Sequence, residues 1–127
     1  MKYTTFIGLK KPELTDYVDI ADINYNMDII DSEVKKIYSS VISVTLSAAS
    51  WTGSSAPFSI TVPVAGVTTT SANEVLPSLT ITAAQLEALQ SANIQDGGQA
   101  TGSITLKAFG DKPSINLPLR VIVRGDL

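Results

Sequence analysis

The sequence predicts a mainly β chain: an N-terminal arm and a short trimeric coiled-coil helix, followed by a small antiparallel β-sandwich with one short helix. Three observations predict it. Apolar residues recur at alternating spacings of three and four from Ile20 to Val41. Beyond residue 40 the apolar period drops to two and holds over several short runs. Those runs are bounded by Gly, Pro, Ser and Asn, the residues that turn a chain.

The helix comes first because it organises the rest. Ile20, Met27, Val34 and Val41 fall at heptad position a, and Ile23, Ile30 and Ile37 at d. Leu at d favours two strands, whereas Ile at both positions shifts the preference to three or four. These seven residues are therefore the expected trimer interface of a coiled-coil segment over residues 19–39. The same spacing also suits one amphipathic helix packed on its own domain. Asp19 is the expected N-cap, with Asp22 in the first turn and Lys35 and Lys36 near the other end, each complementing the helix dipole. Residues 1–18 read as an extended arm: Gly8 and Pro12 break any helix, and the apolar residues have no period.

Residues 40–127 read as the β-sandwich module. Ile42, Val44 and Leu46 alternate with polar residues, then Phe58, Ile60, Val62 and Val64, with Pro63 pointing to an edge or bulge. Glu74 to Ile81 is a weaker strand because of Pro77. Thr82-Ala83-Ala84-Gln85 fits a capping box, so a short helix follows with Leu86, Leu89 and Ala83 inward, and Asp96-Gly97-Gly98 ends it. Gly102 to Phe109 and Ser114 to Val123 are two more strands, with Gly110-Asp111-Lys112-Pro113 as the hairpin loop between them. That makes five strands and one helix.

Composition narrows the function. The chain of 127 residues has no Cys and no His, which removes disulfides, thiol nucleophiles, Cys/His zinc sites and imidazole acid–base chemistry. A net charge of −3 argues against nucleic acid as a partner. No apolar run is long enough to enter and span a bilayer, and the first residues do not read as a signal peptide. Between residues 38 and 106 the charged side chains are Glu74, Glu87 and Asp96 alone, with Ser and Thr in place of the usual Lys and Glu. Such a surface suits a domain covered by copies of itself or one that works outside a cell. No catalytic constellation stands out, so neither an enzymatic activity nor a metal or other cofactor is expected. Trp51 is a candidate sugar-stacking residue, although a lone Trp is more often buried.

Two stretches resemble a known group of proteins. Gly8-Leu9-Lys10-Lys11-Pro12-Glu13, Thr15 to Ile20 and Asn24-Tyr25-Asn26-Met27-Asp28-Ile29-Ile30-Asp31 are similar to the N-terminal segment of tail-fibre and appendage proteins of phages and prophages of Gram-positive bacteria. Ala49-Ser50-Trp51-Thr52-Gly53-Ser54-Ser55-Ala56-Pro57-Phe58, with Gly110 to Pro113 before an alternating strand, resembles a C-terminal β-module of phage fibre-like and baseplate-associated proteins. The resemblance implies a trimeric virion structural protein, assembled in the bacterial cytoplasm. Its residues 1–18 would contact other virion proteins, and its β-module would face outward as a knob for host attachment, with a surface glycan as one ligand it could take. One departure is the missing repetitive shaft, which makes this a stub or connector. Two other readings stand beside it: a carbohydrate-binding module with Trp51 exposed, and a capsid decoration or joining protein with no ligand.

Overall fold

Alternating apolar residues build the larger of two compact units, one over Met1–Tyr38 and one that begins at Ser39. The computed structural model describes residues 1–126, without the Asp126 side chain; Leu127, the last residue of the predicted module, lies outside the described residues.

The first unit holds a two-stranded hairpin, β1 (Lys2–Tyr3) and β2 (Lys10–Lys11), and the helix α1 (Ile20–Ile37). The helix starts where the capping residues place it. Asp19 accepts from the Asp22 N–H at 3.1 Å, and the Asp22 side chain accepts in turn from the Asp19 N–H, closing a capping box. Lys36 pairs with Glu33 at 2.8 Å in the last turn. The helix stops at Ile37, because Tyr38 is already extended with ψ 135°. This corrects the predicted span to residue 39, and it takes Val41 out of the heptad. Val41 lies in the strand that follows, opposite Ile122.

The second unit is a small antiparallel β-sandwich. One sheet has the order β3 (Ser39–Leu46), β8 (Leu117–Asp126), β5 (Ser71–Pro77). The other has the order β4 (Phe58–Pro63), β7 (Ser103–Ala108), β6 (Ile94–Ala100). The central strands supply most of the core: Leu117, Leu119, Val121 and Val123 from β8, and Ile104, Leu106 and Ala108 from β7. Directly opposed residues of an antiparallel pair share a face. Accordingly Leu46 meets Leu117 and Ile60 meets Leu106 in register. Pro63 and Pro77 both end edge strands, where a missing N–H costs no ladder bond. The helix α2 (Ala83–Ala92) opens with the expected box between Thr82 and Gln85.

Beyond shifts of three or four residues at the ends of β5 and β8, three details of this unit differ from the sequence-based expectation. First, residues read as the end of the helical segment form a sixth strand, β6. It hides from pattern reading because a bulge between Asp96 and Gly98 breaks its alternation, and Gly98 sits at φ +118°. Gly97 is there for space: a Cβ would meet the Lys107 and Thr105 side chains at 3.0 and 3.2 Å. Second, Gly110–Pro113 is no hairpin loop. It crosses from β7 in one sheet to β8 in the other, and the hairpin is instead β6–β7, turning at Thr101-Gly102. The N–H groups of Phe109, Gly110 and Asp111 bond the carbonyls of Asn93, Ala92 and Ser91, so this crossing satisfies the end of α2. Third, α2 packs through Ala88, Leu89 and Ala92, while Ala83 is exposed and Leu86 is 37% exposed.

Candidate functional site: the α1 seam and its clasped arm

Helical geometry places Ile20, Ile23, Met27, Ile30, Val34 and Ile37 along one stripe of α1, about 27 Å long at the α-helical rise. These six side chains are between 46% and 78% exposed, and α1 has no buried residue. A single exposed Ile is ordinary; a periodic stripe of six is not.

A different face of α1 is already occupied. Asp22, Asn26 and Ile29 are half-buried, at spacings of four and three. The arm is clasped there. Asn26 Oδ1 accepts the Lys10 N–H at 2.7 Å while its Nδ2 donates to the Lys10 carbonyl at 2.9 Å. The Lys10 ammonium donates to Asp22 Oδ1 at 2.7 Å and lies 4.7 Å from the centre of the Tyr25 ring. Tyr3 meets Tyr25 edge-on, with ring centres 6.5 Å apart. Gly8, at φ +73°, makes the turn that returns β2 beside β1. The Lys10 hydrogen bond, followed by the backbone bond from Asp19, holds the Asp22 carboxyl below its ordinary value. The same bond to Asp22 raises the Lys10 ammonium above its own. The clasp uses polar groups on α1 and leaves the apolar seam open. Phe6, Leu14 and Tyr17 are left at least 96% exposed on the arm.

The other residues singled out by sequence fall elsewhere. Val41 is exposed on β3 of the second unit and is not part of the helical stripe. Trp51 is 4% exposed and packs in the sandwich core, so its ring offers no stacking face. Glu74 lies against Arg124 at 3.4 Å, and Glu87 stands exposed on α2. Among the described residues no three acidic side chains gather as a metal-binding group. Asp19 and Asp22 are used in the cap and clasp, and Asp16 accepts from the Glu13 N–H at 2.8 Å. Sequence reasoning missed the clasp. Its signal is faint: one Asn four residues after an Asp on a helix, and one Lys upstream. No helix among the described residues is long and apolar enough to cross a membrane.

No family model, curated protein or solved structure matches the chain.

Proposed function

We propose that this chain is a short homotrimeric structural protein of the phage tail-fibre or appendage type. In this reading α1 joins three copies in parallel, the clasped arm attaches to the particle, and the β-sandwich is displayed outward. One observation carries the assembly: six exposed branched or flexible aliphatics in strict three-four order on a helix with no buried residue. Most helical stability in proteins comes from packing of an apolar face, and here the arm contributes chiefly polar contacts and no residue of the helix is buried. Association of copies supplies the missing burial, and Ile at every d position shifts the preference from two copies toward three or four, of which we take three.

The particle assignment is supported by the resemblance of residues 8–31 and 49–58 to phage fibre segments. The hydroxyl-rich surface of the second unit fits display outside a cell. Phe6, Leu14 and Tyr17 offer apolar contacts to a neighbouring particle protein.

Light scattering on the full chain at micromolar concentration tests the assembly. The expected mass is three times the 13.4 kDa of one copy. A monomer at that concentration overturns the proposal.

A further inference from the structure

The side of the sandwich where β5 and β6 form the two open sheet edges departs from the alternation that holds elsewhere. Three positions facing between the sheets are polar there. Asn73 lies opposite Val123, Asp96 opposite Leu106 and Gln99 opposite Ile104, so each shares a face with a core residue. Polar residues at positions where a fold asks for apolar ones mark sites more often than errors.

Two of the three close one end of this side. Asn73 Nδ2 donates to Gln99 Oε1 at 2.8 Å, and Gln99 Nε2 donates to the carbonyls of Thr68 and Ser71 at 2.6 and 2.8 Å. Beyond this tie a cleft of about 440 Å³ opens, bounded by α2 on another side. That volume lies in the range of small-molecule sites. Its floor is aliphatic: Val75, Leu89 and Ile94, reaching the core residues Ile104, Leu106 and Leu119. Its polar wall carries Gln90, Asn93, Gln95 and Asp96, and no Lys or Arg lines it.

The bonds within that wall leave both donors and acceptors over. Gln95 Nε2 donates to Asn93 Oδ1 at 3.0 Å, which leaves the Asn93 amide hydrogens and the Gln95 carbonyl. Asp96 Oδ1 accepts the Gly98 N–H at 2.8 Å, which leaves its second oxygen. We propose that this cleft binds a neutral, hydroxyl-rich small molecule, a carbohydrate unit, with its C–H face on the aliphatic floor and its hydroxyls on the amides and Asp96. Hydroxyls both donate and accept, as this wall requires. An anionic ligand would face Asp96 with no cation to balance it. A wholly apolar ligand would cover the amides without bonding them.

An added peptide strand fits less well. Ser78 donates its N–H to the Pro118 carbonyl at 3.0 Å. By the alternation of an antiparallel ladder, only Asn73 and Val75 then turn an N–H to the open edge of β5, since Pro77 has none. The cleft deepens the display role proposed above, which gives the sugar its source on a cell surface. Its chemistry stands without that role.

The test titrates the full-length protein with glucose, galactose and N-acetylglucosamine, and with glucuronate as the anionic control, while backbone amide shifts are followed. Binding of at least one neutral sugar in the millimolar range is expected, with shifts confined to β5, β6 and α2. Glucuronate should bind more weakly than glucose. Gln95→Ala and Asp96→Asn should each weaken binding about tenfold, with the rest of the spectrum unchanged. The Asn variant keeps the oxygen that accepts from Gly98. Shifts absent at tens of millimolar of every neutral sugar, shifts located elsewhere, or tighter binding of glucuronate would each overturn the proposal. Light scattering on the same sample separates the two readings. A trimer that ignores sugars removes the cleft proposal alone, and a monomer that binds them removes the assembly alone.

Discussion

Two stripes of similar residues meet opposite fates in this molecule. Along β8, Leu117, Leu119, Val121 and Val123 repeat at a period of two and are at most 4% exposed. Along α1, Ile20, Ile23, Met27, Ile30, Val34 and Ile37 repeat at a period of 3.5 and are at least 46% exposed. The β8 stripe is covered by strands that the same chain supplies. The α1 stripe has an arm beside it, yet the arm binds through Lys10 to Asn26 and Asp22 on another face. Periodicity states what an element needs, and only the fold states whether its own chain meets that need. Where it does not, at about 25 cal/mol per Å² of apolar surface, association is the available source of stability.

Each stripe can be disrupted by itself. The largest effect expected is from Ile30→Asp, which would place three unpaired carboxylates in one layer of the proposed trimer core. Assembly should be lost outright by light scattering, while the melting of the sandwich, followed by near-ultraviolet signals of Trp51, stays in place. Leu119→Ala should do the reverse. It removes a side chain that is 2% exposed and lies opposite Val44 and Pro77, and should cost about 3 kcal/mol in denaturant melts. Loss of assembly should accompany it only once the sandwich unfolds.

Smaller effects sharpen the picture of the arm. Asn26→Ala removes both bonds to the Lys10 backbone and should raise local opening of the hairpin by about 1–2 kcal/mol, read by amide exchange at Lys10. The mass of the proposed trimer should not change, because Asn26 lies off the seam. The smallest effect is the pH response of the Lys10–Asp22 pair. Asp22 is held below its ordinary value, so its contribution is present above that value, about pH 4, and lost as pH falls through the lowered one. Lys10 is raised, so its contribution is present below its ordinary value, about pH 10, and lost as pH rises through the raised one. The Tyr3–Tyr25 contact, followed by ring resonances, should therefore hold across the neutral range and loosen toward both ends. Added salt should weaken the charged part of the clasp as well.

Much of the fold was legible in the sequence because local signals and tertiary demands agreed. The capping boxes at Asp19 and Thr82 are chemical pairs three residues apart, and both helices start where they indicate. The β8 alternation is long enough to name its buried face without a structure. The misses have physical reasons of the opposite kind. β6 reads as a turn because its bulge holds Gly97 and Gly98 and two of its inward positions, Asp96 and Gln99, are polar. The Gly110–Pro113 crossing looks like a hairpin loop because sequence gives the chain order of strands, not the sheet each joins. Val41 continues the heptad by number, yet a run of Ser and β-branched residues pairs with β8 instead. The seam itself was readable as a pattern; the clasp and the cleft depend on residues far apart in sequence and left no local trace.

Copies that meet along α1 would bring position 30 of neighbouring chains together, and the absence of cysteine from the sequence allows a direct test. A full-length Ile30→Cys variant places a thiol at the centre of the seam, and Asp28→Cys places one off it. Mild oxidation should cross-link two chains rapidly through position 30, at protein concentrations where the position-28 variant stays largely uncross-linked. Equal cross-linking at both positions, or none at position 30, would contradict the account.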